Sequence, residues 1–221
     1  MNQSIACVAL LVLSACGGSS ANVGDAPADA AADIATAEAA AADAGADAAQ
    51  PMDASDGTMH DAAPDDRIDP IEVGRSWTYD VTIFGTSPCQ GGMQTGTTLS
   101  KSTVAGKDGY KVQSFCAAYG AATYAVSGDE VELYYSNQWV LALDAPVAEG
   151  HTWSNGVGTY TWHSAGSVTV PAGTFHDCWS ATENVAYTAY TIFCRGVGPV
   201  RWYTKDLAGK GLDAQLRAKN F

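Results

Sequence analysis

Residues 77–84 read WTYDVTIF, with Trp77, Tyr79, Val81 and Ile83 at alternate positions. Successive side chains of an extended chain point to opposite faces, so this pattern predicts a strand with one buried face. DEVELYYS at 129–136 repeats it through Val131, Leu133 and Tyr135, and QWVLALD, YTWHSAGSVTV, YTAYTIF and PVRWYTKD read similarly. The stretches are rich in Val, Thr, Tyr and Trp, which pack well on a pleated surface. Turn signals separate them at Lys107-Asp108-Gly109, Ser127-Gly128-Asp129, Asn155-Gly156 and Ala208-Gly209-Lys210-Gly211. No long stretch has a period of 3.6. The final LDAQLRAKNF reads as a closing strand, with a C-terminal helix as the alternative. About ten strands predict an all-β, antiparallel domain, built as a sandwich or a half-open barrel. A short echo runs through it: Gly74-Arg75-Ser76-Trp77 and Gly150-His151-Thr152-Trp153 share G-x-[ST]-W, which two equivalent halves of one sheet would explain.

Upstream of residue 71 the texture is different. Ile5–Leu13 is a run of nine apolar residues, too short to span a bilayer, which takes about 20. It fits the apolar core of an export signal. The segment 17–70 contains 19 alanines and no aromatic residue. It lacks the apolar surface that would offset the entropy of ordering it. The expected organisation is a signal peptide at 1–15, a disordered Ala/Asp-rich tether at 16–70 beginning with Cys16, and a β domain at 71–221.

Charge follows the same division. Residues 17–70 carry 12 acidic side chains and one basic one, Arg67, whereas 71–221 carry 12 acidic and 10 basic. A near-neutral domain has no basic track for a phosphate backbone, and the acidic segment repels one, so no nucleic-acid partner is expected.

Four cysteines fall in the domain: Cys89, Cys116, Cys178 and Cys194. Export would place them in an oxidising compartment, and an even count invites two disulfides with three possible pairings. The preferred pairing is Cys178–Cys194, across a hairpin turning near 184–186, with Cys89–Cys116 as the second. The cysteines are not in C-x-x-C pairs, so no metal site is expected. His176-Asp177 is the best-placed catalytic pair, but no G-x-S-x-G accompanies it and its plain reading is a strand end. No glycine-rich loop precedes a helix, so no nucleotide cofactor is expected. Trp and Tyr suit a binding site, and equally an antiparallel core.

Leu13-Ser14-Ala15-Cys16 resembles the lipobox of bacterial lipoproteins. The resemblance implies that Cys16 becomes the first residue of the mature chain and carries lipid on its sulfur and its new amine. One feature departs from that pattern: MNQSI has no Lys or Arg. Gly17 is not the aspartate of an inner-membrane retention signal, which implies the outer membrane. Within the domain, Gly74-x-x-Trp77-x-Tyr79, the run Val170-Pro171-Ala172-Gly173-Thr174-Phe175 ending at Cys178, and Gly196-Val197-Gly198-Pro199-Val200 resemble a group of uncharacterised bacterial lipoproteins and secreted β proteins. These motifs imply an architecture and no catalytic role. The resulting expectation is a membrane-anchored, non-enzymatic envelope protein that binds an apolar ligand or a protein partner. The alternatives are a structural envelope component and a hydrolase built around His176 and Asp177.

Overall fold

The computed structural model describes residues 65–221, so Cys16, the apolar run and most of the acidic segment lie outside the described residues. The alternating stretches form twelve strands. They are β1 (Ser76–Phe84), β2 (Gly92–Val104), β3 (Lys107–Gln113), β4 (Ala121–Ser127), β5 (Glu130–Tyr135) and β6 (Gln138–Leu143), then β7 (Thr152–Ser154), β8 (Thr159–Val170), β9 (Gly173–Glu183), β10 (Thr188–Cys194), β11 (Gly198–Lys205) and β12 (Gly211–Lys219). All belong to one antiparallel sheet in the order β6-β5-β4-β3-β2-β1-β12-β11-β10-β9-β8-β7. Spatial neighbours are therefore chain neighbours everywhere except at β1–β12, which pair, and β6–β7, which do not. One sheet closing on itself in this way is an up-and-down barrel with a single seam. Of the two architectures expected, this is the half-open barrel.

Side chains bridge the seam where backbone pairing stops. Trp153 Nε1 on β7 donates to the Ala142 carbonyl on β6 at 3.2 Å. Trp162 Nε1 on β8 donates to the Asp144 carbonyl at 2.8 Å, and the His151 ring meets the Asp144 carboxylate at 2.9 Å. An unpaired edge is a template for unwanted pairing, and these bonds cover part of it.

The interior face is the alternating apolar set. On β12, Leu212, Ala214 and Leu216 are fully buried, opposite Ile83, Val81 and Tyr79 of β1. Trp162 and Phe193 meet edge to face inside the second half of the barrel, with centroids 6.0 Å apart.

The G-x-[ST]-W echo is a structural repeat. Arg75 N–H donates to the Glu72 carbonyl and His151 N–H to the Ala148 carbonyl, closing two equivalent turns. Gly74 (φ 86°) and Gly150 (φ 76°) supply the left-handed residue each turn requires. Gly74 exchanges backbone bonds with Thr98 on β2 through Arg75, as Gly150 does with Trp162 on β8 through His151. Trp77 and Trp153 then enter the core at the first strand of each six-strand half.

Residues 65–71 cross one barrel end as a strap. Ile68 N–H donates to Asp129 at the β4–β5 turn. Gly196 N–H and the Arg195 guanidinium, at the β10–β11 turn, donate to the Arg67 and Asp66 carbonyls. Ile68 and Ile71 insert into the core. Composition assigns 65–70 to the tether, yet these residues are part of the folded unit, because acidic neighbours hide one well-placed isoleucine. A second difference concerns Lys107-Asp108-Gly109. These residues open β3, and the turn lies at Ala105-Gly106, both with positive φ.

Two disulfides tie the barrel. Cys89 and Cys116 join the β1–β2 and β3–β4 connections, and Cys178 and Cys194 face each other across β9 and β10.

Candidate functional site

The interior is not filled throughout. A cavity of about 150 Å³ lies in the lumen between the β1–β6 half, the end of β10 and the first part of β11. A space of that order admits one benzene-sized ring. Its wall is built by the inward positions of many strands: Trp77 and Tyr79 from β1, Val112 from β3, Ala122 and Tyr124 from β4, Phe193 from β10 and Trp202 from β11. Phe115, in the connection after β3, packs against both Tyr79 and Trp202, at centroid distances of 4.9 and 5.8 Å. Gly96 makes this possible, because a Cβ there would lie 3.2 Å from the Gln113 carbonyl and 3.3 Å from the Phe115 nitrogen. The 114–120 connection, with the half-buried Tyr119, also lines the cavity.

Few polar groups face this space. Tyr79 OH donates to the Pro199 carbonyl at 2.9 Å. Trp202 Nε1 approaches the Tyr79 hydroxyl but completes no hydrogen bond of good geometry, and is buried without a partner. The strap contributes Asp69. Asp69 is half-buried and lines the cavity. Among the described residues no group donates a hydrogen bond to that carboxylate. Arg67 is committed elsewhere, with Nε and Nη2 at 2.8 and 2.7 Å from the Asp65 carboxylate. Loss of water therefore dominates, and burial pushes Asp69 up to about 7. Burial, with the Asp69 charge nearby, pushes the Tyr124 hydroxyl up to about 12 and raises Tyr79 further. The Arg67 guanidinium, joined by Arg75, holds Asp65 well below the usual carboxylate range.

The residues singled out in the sequence lie elsewhere. Cys16 is outside the described residues. His176 is exposed on the β8–β9 hairpin, with Nδ1 2.7 Å from Ser167 Oγ. Asp177 takes a positive φ (50°) and turns away from it. Its carboxylate accepts from Trp179 Nε1 at 2.9 Å and pairs with Arg195 at 3.3 Å. The His-Asp pair is therefore not assembled as an acid–base unit. His163 pairs with Glu149 on the outer surface.

Sequence reasoning missed Asp69 as a lumen residue, since it sits among eleven other acids of an apparently solvated segment. The available signal was local: Ile68-Asp69-Pro70-Ile71 brackets the acid with two isoleucines. Tyr79 and Tyr124 were legible only as inward strand positions.

No protein-family model matches the chain, and neither does any curated protein. Two solved structures are similar in fold. One, from Bacteroides fragilis, is described as a candidate exported protein with a YmcC-like fold; it is 10% identical, with 71% of this chain and 100% of that one covered and a TM-score of 0.42. The other, described as a candidate lipoprotein of Parabacteroides distasonis, is 13% identical, with 70% and 99% covered and a TM-score of 0.40.

Proposed function

We propose that this chain is a lipid-anchored envelope protein whose barrel binds a small, largely apolar molecule in its lumen. The observation that carries the binding role is the cavity: an aromatic-walled space where, among the described residues, the buried Trp202 indole N–H has no hydrogen-bond partner and no group donates to the Asp69 carboxylate. Ligand sites have this character, predominantly apolar with a few convergent polar groups. The anchor reading rests on Leu13-Ser14-Ala15-Cys16 behind the apolar run, with 17–64 as the spacer and the outer membrane as its place. More than one acyl chain on Cys16 would hold the protein firmly, whereas one gives marginal binding.

Intact mass of protein extracted from membranes tests both parts. Denatured, the mature chain should begin at Cys16 and carry lipid, and Cys16→Ser should abolish that addition. Under native conditions it should retain a small molecule that Ala122→Phe, which fills the cavity, does not. An unprocessed, unlipidated chain would remove the anchor. Ligand-free protein that also takes up no apolar probe would remove the lumen role.

A protein partner is the second reading, favoured by one observation. Val157, Val185 and Leu207 are 62%, 37% and 84% exposed at three successive hairpin turns of one barrel end. A partner that is lost on Leu207→Ser while lumen binding persists would support it.

A further inference from the structure

The lumen has a definite electrostatic character. Among the described residues no lysine or arginine lines the cavity, and the one carboxylic acid that does is Asp69. The same cavity is lined by the rings of Trp77, Tyr79, Phe115, Tyr124, Phe193 and Trp202, and Tyr79 and Tyr124 stand close enough to feel the Asp69 charge. Aromatic faces carry negative potential and attract cations, most strongly where water is excluded. A carboxylate without a hydrogen-bond donor lacks what an ammonium N–H supplies. The same surroundings oppose an anionic head, which would meet Asp69 with no base to compensate.

Resting on the lumen reading above, we propose that the cavity selects small organic cations, an ammonium group on a ring-sized apolar body, over neutral and anionic molecules of the same shape. The ammonium pairs with Asp69 and the body lies against Phe115, Tyr124 and Trp202. Selection then depends on pH through Asp69 alone. The charged groups acting on it from its own segment are Arg67 and Asp65, and Arg67 stays protonated while its contact keeps Asp65 ionised. From β1 and β4 the facing groups are Tyr79 and Tyr124, which stay neutral through the physiological range.

Calorimetric titration of the full-length, detergent-solubilised protein with benzylamine, benzyl alcohol and benzoate tests this. At about pH 8 benzylamine should bind at least about tenfold tighter than benzyl alcohol, and benzoate should not bind. At about pH 5.5, where Asp69 holds its proton, that preference should shrink several-fold. Asp69→Asn should cut benzylamine affinity about tenfold and benzyl alcohol affinity by much less, so that the preference for the amine is lost. The pH arm on unaltered protein decides the matter if the variant does not fold. Equal binding of amine and alcohol at both pH values would overturn the cation preference and leave the lumen site standing. Failure of all three probes to bind would overturn both.

Discussion

Asp69 concentrates the chemistry of this molecule in one carboxyl. Folded, it keeps its proton up to about pH 7; unfolded, it releases it near 3.8. Folding thus takes up a proton between those values, and this group's contribution to stability falls as pH rises through that window. The full difference corresponds to at most about 4 kcal/mol at alkaline pH. Urea denaturation at about pH 5 and 8 should show Asp69→Asn gaining on the unaltered chain at the higher pH. An identical gap at both values would contradict the burial of this acid. Asp65, one turn of the strap away, has the opposite sign. Its folded value is depressed by Arg67 and Arg75, so its contribution is present above the unfolded value and is lost as pH falls. In Asp65→Asn the acid-side decline should be shallower, as the same denaturation series run downward from about pH 5 would show.

Strands with clean alternation were readable from residue types alone, because one buried face imposes a period of two. This holds for β1 through Trp77, Tyr79 and Val81, and for β5 through Val131 and Leu133. Among the strands that the residue types did not mark, two are polar or very short. β2 is mostly Gly, Thr, Ser and Lys, and β7 is three residues long. Gly109 shows how a turn signal misleads. It lies inside β3 because a Cβ there would meet Thr123 Cγ2 at 2.7 Å and the Trp139 ring at 3.1 Å. Gly109→Ala should therefore destabilise the barrel by about 1–3 kcal/mol, read as a lower denaturation midpoint. An unchanged midpoint would mean that the crowding is relieved by a small shift. At the seam, Trp153→Phe removes the only N–H that β7 sends to the Ala142 carbonyl, at a cost of about 1 kcal/mol. Hydrogen exchange around β6 should quicken in that variant while β11 and β12 stay protected.

For the molecule as a whole, antiparallel β class and strand rhythm were legible, but closure was not. Whether a set of amphipathic strands makes a sandwich or a barrel depends on which edges meet, and no residue type reports that. Here the outcome is fixed by the pairing of Trp77–Phe84 with Gly211–Lys219, which joins the two ends of the described fold. The lumen exists because the barrel is too wide for its own side chains at one level, and the strap covers one end without filling that space.

The central claim is that this space takes a ligand. The most direct measurement is the set of tryptophan indole N–H signals in a nitrogen-15 correlation spectrum during titration with benzylamine. The account predicts that the Trp202 and Trp77 indoles, which line the cavity, shift and saturate together. The Trp139 indole, which donates to the Val104 carbonyl on the other face of the sheet, should stay in place. Saturable shifts at Trp139 with Trp202 unmoved, or no saturable indole shift with either benzylamine or benzyl alcohol, would contradict it.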